Sequence, residues 1–169
     1  MRFPLFLELA GTSCLVVGAG EVALWKKGVL EEYGAQVELT TDFMPEQVEG
    51  RTLVVAATND RSVNRQVYEA CCARKIPVNV VDDPELCTFV FPAVAKKGPL
   101  LAAGTTGGKT PVVTQYLRDE ISKLMTDRLV AAVEHLSADR ERIKRERPAL
   151  TERRDWYRKE LEKWLGRED

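Results

Sequence analysis

The feature that most constrains the fold of this chain is a glycine turn between an apolar segment and a helical pattern. In the stretch CLVVGAGEVALWKKG, which begins at Cys14, a β-type run leads into the spacing G-x-G-x-x-A. Gly18 permits a tight turn, Gly20 lets a ligand approach the backbone, and Ala23 is small enough for the helix to pack on the strand. Because free N–H groups at the start of a helix attract phosphate, the motif favours a nucleotide site over a purely structural turn.

The next part of the chain alternates strands and helices, which predicts a parallel sheet with right-handed crossovers. The predicted elements are strands at Cys14–Val17, Gln36–Thr40, Thr52–Thr58 and Pro77–Val81, and helices at Glu21–Tyr33 and Arg61–Arg74. The segment between Thr40 and Thr52 is too short for another helix and strand, which a complete Rossmann half requires. We therefore predict a Rossmann-like sheet that is truncated at this edge.

The pattern changes after Asp83. The segments TFVFPAV and PLLAAG, separated by AKKG, resemble an antiparallel hairpin, and Thr110 followed by Pro111 predicts a helix to about Met125. From Thr126 the sequence is charged and helical, and Pro148 divides it into at least two helices. We predict a Rossmann-like domain over residues 1–83, a hairpin-containing dimerisation module over 84–125 and a helical C-terminal domain over 126–169, an α/β protein overall.

Composition narrows the function classes. A net charge of -1 argues against a protein that mainly binds nucleic acid. The four cysteines lie outside C-x-x-C pairs and away from a metal-like histidine spacing, so we expect reduced core thiols and no resident metal. No apolar run is long enough to span a membrane, and the interrupted start does not resemble a secretory signal. These features predict a cytoplasmic protein.

Polar residues follow the predicted strands, where ligands of open α/β sheets bind. Thr58, Asn59 and Asp60 follow one strand, although Asp60 could equally cap the next helix. Asp42 is the nearest carboxylate beyond the second strand and a candidate for the cofactor ribose, with a solvated loop residue as the alternative. Asp82 could accept a proton or hold a cation, or it could belong to an ordinary turn before Pro84.

The loop GTTGGKTP combines glycines, hydroxyls, a lysine and a helix start, which suits carboxylates or phosphates. It does not fit a Walker A motif, because Ala103 replaces the required glycine. The lone histidine, His135, lies in the charged helical tail and is not expected to be catalytic.

In this order, VVGAGEVALWKKGVLEEYGA, VVAATNDRSVN, VNVVDDPELCTFVFPA and GTTGGKTPVV resemble precorrin-2 dehydrogenases of the siroheme synthase type. The resemblance implies oxidation of precorrin-2 to sirohydrochlorin with NAD⁺, sometimes with insertion of ferrous iron, in a homodimer. It implies that Asp82 is the catalytic residue and that Gly18, Gly20, Glu21 and Val22 form the nucleotide turn. We assign Asp42, Thr58, Asn59 and Asp60 to the cofactor and Thr105, Thr106, Gly107, Gly108 and Lys109 to the substrate.

The substrate is rich in carboxylates, so Lys96, Lys97, Lys109 and Arg118 are further candidates for its binding. Phe89, Phe91, Leu100 and Ala102 are expected on the apolar face of the hairpin, where a second subunit would cover them. Family members carry about twenty more residues before PEQVEG, beside the adenosine half of NAD. Either the dinucleotide is held mainly by its pyrophosphate and nicotinamide end, or this chain is a non-catalytic binding protein for a tetrapyrrole or a metal.

Overall fold

The computed structural model describes residues 2–166, which divide into two compact units, one ending at Phe91 and the other beginning at Pro92. The first unit contains a four-stranded parallel sheet in the order β2-β1-β3-β4. Its strands are β1 Ser13–Val17, β2 Gln36–Thr40, β3 Leu53–Ala56 and β4 Val78–Val80, and its helices are α1 Glu21–Glu32 and α2 Arg61–Ala73. Short 3₁₀ helices occupy Pro45–Val48 and Pro84–Leu86. The α/β fold with a truncated sheet is therefore confirmed.

The sheet is buried on both faces, which explains the continuous apolar runs in its strands. Side chains alternate along each strand, so Leu15 and Val17 enter one core cluster and Cys14 and Val16 enter the other. The first cluster includes residues of α2, and the second includes residues of α1. The glycine turn directly follows β1 and is therefore anchored to a buried strand of the sheet.

The sheet is truncated at β2, as the sequence predicted. Between β2 and β3 the chain forms only a loop and the 3₁₀ helix Pro45–Val48. Val48 of this helix is fully buried against the sheet, so the short connection still covers part of the core.

The second unit begins with an antiparallel hairpin of β5, Ala93–Lys97, and β6, Leu100–Gly104. The hairpin is followed by α3 Pro111–Leu124, α4 Asp127–Ala138, α5 Arg140–Glu146 and α6 Leu150–Leu165. Helix α3 packs on the hairpin and α4 packs on α6. The prediction that the tail forms at least two helices is confirmed. The predicted functional boundaries at residues 83 and 125 stay a prediction.

Two local predictions were wrong. The first hairpin strand was expected within TFVFPAV, but β5 begins at Ala93, because Thr88 and Phe89 bond to Val78 of β4 instead. Phe89 and Phe91 consequently pack in the first unit and not on the hairpin. Cys72 was expected among core thiols and is exposed, whereas its neighbour Cys71 is buried.

Candidate functional site

The parallel register brings four loops to one edge of the first unit. Val17 is aligned with Thr40 and with Ala56, and Ala56 is aligned with Val80. The strands therefore end level, and the residues that follow them emerge together at the carboxyl edge of the sheet. The structure thus gathers the glycine turn, Asp42, Thr58 with its neighbours and Asp82 at this edge.

Gly18 is required by its surroundings. Its φ of 127° is rarely adopted by other residues, and an added Cβ would lie 2.3 Å from the carbonyl oxygen of Ala57. Its N–H donates to the carbonyl oxygen of Thr40 at 2.7 Å. Gly18 is therefore packed between the carboxyl ends of β2 and β3.

Gly20 has a different role, because nothing within 4 Å would meet an added Cβ. It is the N-cap of α1 and provides no side chain to bond the first N–H groups of the helix. Open space above unbonded backbone donors fits an anionic pyrophosphate, and Glu21 and Val22 supply the first of those donors. The residues present thus suit a dinucleotide.

Asp42 lies in an exposed turn after β2. The hydroxyl of Thr40 donates to the carbonyl oxygen of Asp42 at 2.9 Å and accepts from the N–H of Asp42 at 3.2 Å. These bonds hold the backbone of the turn while its carboxylate stays exposed. Asp42 therefore lies exposed at this edge, and its contact with a cofactor ribose stays a prediction.

The loop after β3 is organised by Asn64, a buried residue of α2. Its Oδ1 accepts from the N–H and the hydroxyl of Thr58 at 3.2 and 2.8 Å, and its Nδ2 donates to the carbonyl oxygen of Thr58 at 3.0 Å. Thr58 immediately follows Ala57, whose carbonyl oxygen contacts the glycine turn. Asn64 therefore fixes the backbone against which Gly18 packs.

Asp60 is the N-cap of α2. Its carboxylate accepts from the N–H groups of Ser62 and Val63 at 2.7 and 3.4 Å and from the Ser62 hydroxyl at 2.6 Å. The bond from the Ser62 hydroxyl, followed by the backbone bonds, holds the pKa of Asp60 below its usual value. Capping occupies this carboxylate, and neighbouring Asn59 is exposed. Cofactor contacts by either residue stay predictions.

Asp82 lies two residues beyond β4 and is exposed. Its φ of 59° places it in the left-handed region, which aspartate tolerates better than most residues. Its neighbour Asp83 is the N-cap of the 3₁₀ helix Pro84–Leu86. The expected turn is therefore present, with Asp82 at its most constrained position.

Lys26 is a buried cation on α1 that the sequence analysis did not single out. Its residue is 9% exposed, and its Nζ lies 3.6 Å from the centre of the Phe91 ring and 4.6 Å from that of Trp25. Burial lowers the pKa of Lys26 to about 8. These aromatic contacts stabilise the ammonium, which forms no ion pair with a carboxylate among residues 2–166.

The predicted substrate loop lies in the second unit. The Thr106 hydroxyl accepts from the N–H of Thr110 at 3.1 Å and lies 3.1 Å from the hydroxyl of Thr114. Thr105 accepts from the N–H of Gly107 at 3.0 Å, and Gly107 and Gly108 both have positive φ. The Thr106 hydroxyl therefore bonds the N-cap residue of α3, Thr110, whose own side chain forms no capping bond.

Of the candidate cations in this unit, Lys96, Lys97 and Arg118 already interact with other residues. Lys97 pairs with Asp127 at 2.8 Å, which holds the pKa of Asp127 below its usual value, and Arg118 pairs with Asp119 at 2.7 Å. Lys109 is exposed in the loop itself. His135 contacts the Trp164 ring, with centroids 5.0 Å apart. Lys109 is thus the candidate cation closest in sequence to the loop hydroxyls.

Asn64 and Lys26 share a sequence signal that could have revealed them. Lys26 falls between Ala23 and Leu30 at helical spacing, and Asn64 precedes Val67 on the buried side of α2. A polar residue at a core-facing position of a helix requires a structural or functional reason.

The sequence was also compared with known proteins. Residues 5–93, more than half of the chain, match the model of a family described as "Putative NAD(P)-binding". This chain belongs to that family. The matched NAD(P)-binding region includes the whole glycine turn and the carboxyl edge described above.

The NAD(P)-binding chain is also similar to siroheme synthases. It is 42% identical over 143 residues to siroheme synthase of Methylobacillus flagellatus, covering 72% of this chain and 31% of the relative. It is 38% identical over 181 residues to that of Methylococcus capsulatus, covering 94% of this chain and 38% of the relative. The chain thus spans about a third of the curated relatives it matches, and the resemblance found in the sequence is confirmed.

The second alignment is longer than the chain itself, since it extends over 181 residues and the chain has 169. The relative therefore contains residues that have no counterpart here. This agrees with a shortened region in this member of the NAD(P)-binding family.

A solved structure described as "SirC, precorrin-2 dehydrogenase" has the same fold, with a TM-score of 0.69 at 21% identity. The match covers 94% of this chain and 88% of that one. Residues 2–166 contain no helix long and apolar enough to cross a membrane. The same residues contain no cluster of three or more histidine, cysteine, aspartate or glutamate side chains that could hold a metal ion.

Proposed function

We propose that this chain is an oxidoreductase that dehydrogenates precorrin-2 to sirohydrochlorin, with NAD⁺ as the hydride acceptor. The observation that carries this proposal is the open start of α1, whose N-cap Gly20 has no side chain to bond the first N–H groups, within a region that belongs to an NAD(P)-binding family. Similarity to siroheme synthases supports the choice of substrate.

The proposal gives each group of candidate residues a task. A bound nicotinamide dinucleotide supplies the hydride acceptor. The N–H groups of Glu21 and Val22 hold its pyrophosphate, and Asp42 favours NAD⁺ over NADP⁺ by meeting an unmodified ribose. Asp82 takes the proton that the substrate loses together with the hydride. Residues 105–109 bind substrate carboxylates through backbone N–H groups and Lys109. Iron insertion and a cytoplasmic location stay predictions from the sequence.

A second candidate is a non-catalytic tetrapyrrole-binding protein. The short connection between β2 and β3 favours it, because in a complete Rossmann half this region includes a further helix and strand. Both candidates include tetrapyrrole binding, and they differ in whether the dinucleotide is bound and reduced.

The deciding experiment follows formation of reduced dinucleotide from precorrin-2 under anaerobic conditions, with NAD⁺ and NADP⁺ in parallel. We expect turnover with NAD⁺, and a kcat lowered by roughly two to four orders of magnitude in Asp82→Asn with little change in NAD⁺ affinity. Asparagine also tolerates the left-handed backbone, so this variant removes the charge without disturbing the turn. Asp83→Asn is the matched control. Tetrapyrrole binding without dinucleotide reduction by the unmodified protein would establish the second candidate instead.

A further inference from the structure

After β4 the chain folds back along the strand that it has just left. We name residues 82–89 the return segment. Near its end, the N–H of Thr88 donates to the carbonyl oxygen of Val78 at 2.9 Å, and the Thr88 hydroxyl accepts from the N–H of Val78 at 2.8 Å. The return segment is therefore tied to the start of β4, and the reversal must occur in the few residues around Asp82.

The thiol of Cys87 lies at the centre of this reversal. Its Sγ is 3.1 Å from the carbonyl oxygen of Val80 and 3.2 Å from that of Asp83, so its single proton donates to one of them. The sulfur also accepts from the N–H of Val80 at 3.3 Å and from Nδ2 of Asn79 at 3.4 Å. One side chain thus contacts the backbone on both sides of Asp82.

Asn79 and burial reinforce this arrangement. Asn79 is 7% exposed, and its Nδ2 also donates to the carbonyl oxygen of Phe89 at 3.1 Å, which holds the far end of the return segment. Burial raises the pKa of Cys87, so the thiol stays protonated at neutral pH and remains able to donate.

Asp82 is one of two non-glycine residues with positive φ in the described part of the chain. Such a conformation persists only where the surroundings determine it. Here the backbones of Val80 and Asp83, on either side, both lie within hydrogen-bond distance of the same sulfur, and the nitrogen of Asp83 lies 3.4 Å from the carbonyl oxygen of Val80. The backbone of Asp82 is thereby fixed, and with it the direction in which its carboxylate leaves the chain.

We propose that Cys87 is a positioning residue that holds Asp82 in its left-handed conformation and so sets the direction of the carboxylate for proton transfer. This inference rests on the proposed function, in which Asp82 takes a proton from the substrate. Cys87 itself contacts backbone and Asn79, and its role is exerted through Asp82.

The first test compares Cys87→Ala with Cys72→Ala, which removes an exposed thiol outside the return segment. We expect Cys87→Ala to lower kcat by roughly tenfold to a hundredfold while KM for NAD⁺ stays unchanged, because misplacing a reacting group by about 1 Å costs this much. Cys87→Ser should recover part of the loss, since a hydroxyl can also donate and accept. An unchanged kcat in Cys87→Ala, or an equal loss in Cys72→Ala, would overturn the proposal.

The second test is a double-mutant cycle with Asp82→Asn. If Cys87 acts through the carboxylate, adding Cys87→Ala to Asp82→Asn should lower kcat by less than about twofold. A full additional loss in the double variant would mean that Cys87 supports the fold generally. Where the alanine variant does not fold, the same cycle is run with Cys87→Ser.

The third test needs no turnover. In a crystal structure of Cys87→Ala, or of Cys87→Val where alanine does not fold, we expect Asp82 to leave the left-handed region, because neither side chain can donate or accept a hydrogen bond. Retention of the original backbone would overturn the proposal whether or not the protein oxidises precorrin-2. Absence of turnover in the unmodified protein, by contrast, would contradict the proposed function.

Discussion

At the scale of single residues, substitutions at Gly18 and Gly20 should have different effects. A change at Gly18 should affect folding stability, and a change at Gly20 should affect ligand binding. Gly18→Ala should lower the free energy of unfolding by roughly 2–6 kcal/mol, because strain and overpacking each cost about 1–3 kcal/mol. The cause is its φ of 127° together with the 2.3 Å approach to Ala57. Urea unfolding measures the change.

Gly20→Asp should have the opposite pattern. Gly20 has an ordinary φ of -74°, and aspartate is a favourable N-cap, so folding should be unaffected or improved. Its carboxylate would bond the N–H groups that we assign to the pyrophosphate, and NAD⁺ affinity should fall by at least roughly tenfold. Calorimetric titration measures this. Binding equal to that of the unmodified protein would show that the turn is only structural.

Lys26 predicts a pH dependence of stability. Burial lowers its pKa from 10.5 to about 8, so the unfolded chain retains a proton that the folded chain releases between these values. The free energy of unfolding should therefore rise with pH across this window, by about 3 kcal/mol at most. Below pH 8 the buried charge carries this cost, which the Phe91 and Trp25 rings offset in part.

Lys26→Met should remove this rise and leave stability at neutral pH unchanged or higher. Urea unfolding over pH 7 to about 10.5 is the measurement, with its window taken from the two pKa values. Lys27→Met is the matched control, since Lys27 is a partly exposed residue that pairs with Glu31 on the surface of the same helix. A rise that persists in Lys26→Met and disappears in Lys27→Met would contradict the assignment.

At the scale of elements, we propose that the connection between β2 and β3 governs the choice between NAD⁺ and NADP⁺. Asp42 is the first carboxylate after β2, and a negative charge there disfavours the 2′-phosphate of NADP⁺. We expect the unmodified protein to prefer NAD⁺, and Asp42→Ala to reduce this preference mainly by improving NADP⁺ binding.

Glu46→Ala is the control for Asp42→Ala, because it removes another exposed carboxylate from the same connection. Dissociation constants for the two dinucleotides are the measurement. An unchanged ratio of the two dissociation constants in Asp42→Ala would show that Asp42 is a solvated loop residue and that other residues determine the choice of cofactor.

The elements themselves were largely predictable, because buried parallel strands and amphipathic helices have distinct apolar patterns. The first hairpin strand was predicted too early in the chain, because TFVFPAV has the composition of a strand. The first residues of this segment are instead held against β4 through Thr88, a tertiary contact that has no local sequence signal. The network of Cys87 with Asn79 was unpredictable for the same reason. Asp82 was assigned as catalytic only through the family resemblance, because its place after a strand also fits an ordinary turn, and its left-handed backbone had no signal in the sequence.

At the scale of the whole molecule, the apolar face of α3 predicts self-association. None of its residues is buried, and Val112 and Tyr116 are 72% and 62% exposed. An exposed apolar face of this kind indicates an interface, and we propose that a second copy of the chain covers it. Sedimentation should give about twice 19.0 kDa.

Tyr116→Asp should shift the protein towards the monomer without unfolding it, because it places a charge in the covered face. Gln115→Glu, a polar change on an exposed position of the same helix, should leave the dimer intact. A monomer at all concentrations in the unmodified protein would contradict this interface.

The burial of each thiol determines how readily it is oxidised when the protein is stored in air. Cys14 and Cys71 are buried, and burial raises the pKa of both, to about 12 for Cys71. The thiol of Cys87 is partly buried, and its pKa is raised as well. Since the thiolate is the form that reacts, these three groups oxidise slowly, while Cys72 on the outer side of α2 remains open to oxidants. Storage without reductant should therefore first join two molecules through Cys72, a covalent adduct that leaves Asp82 and the glycine turn chemically intact.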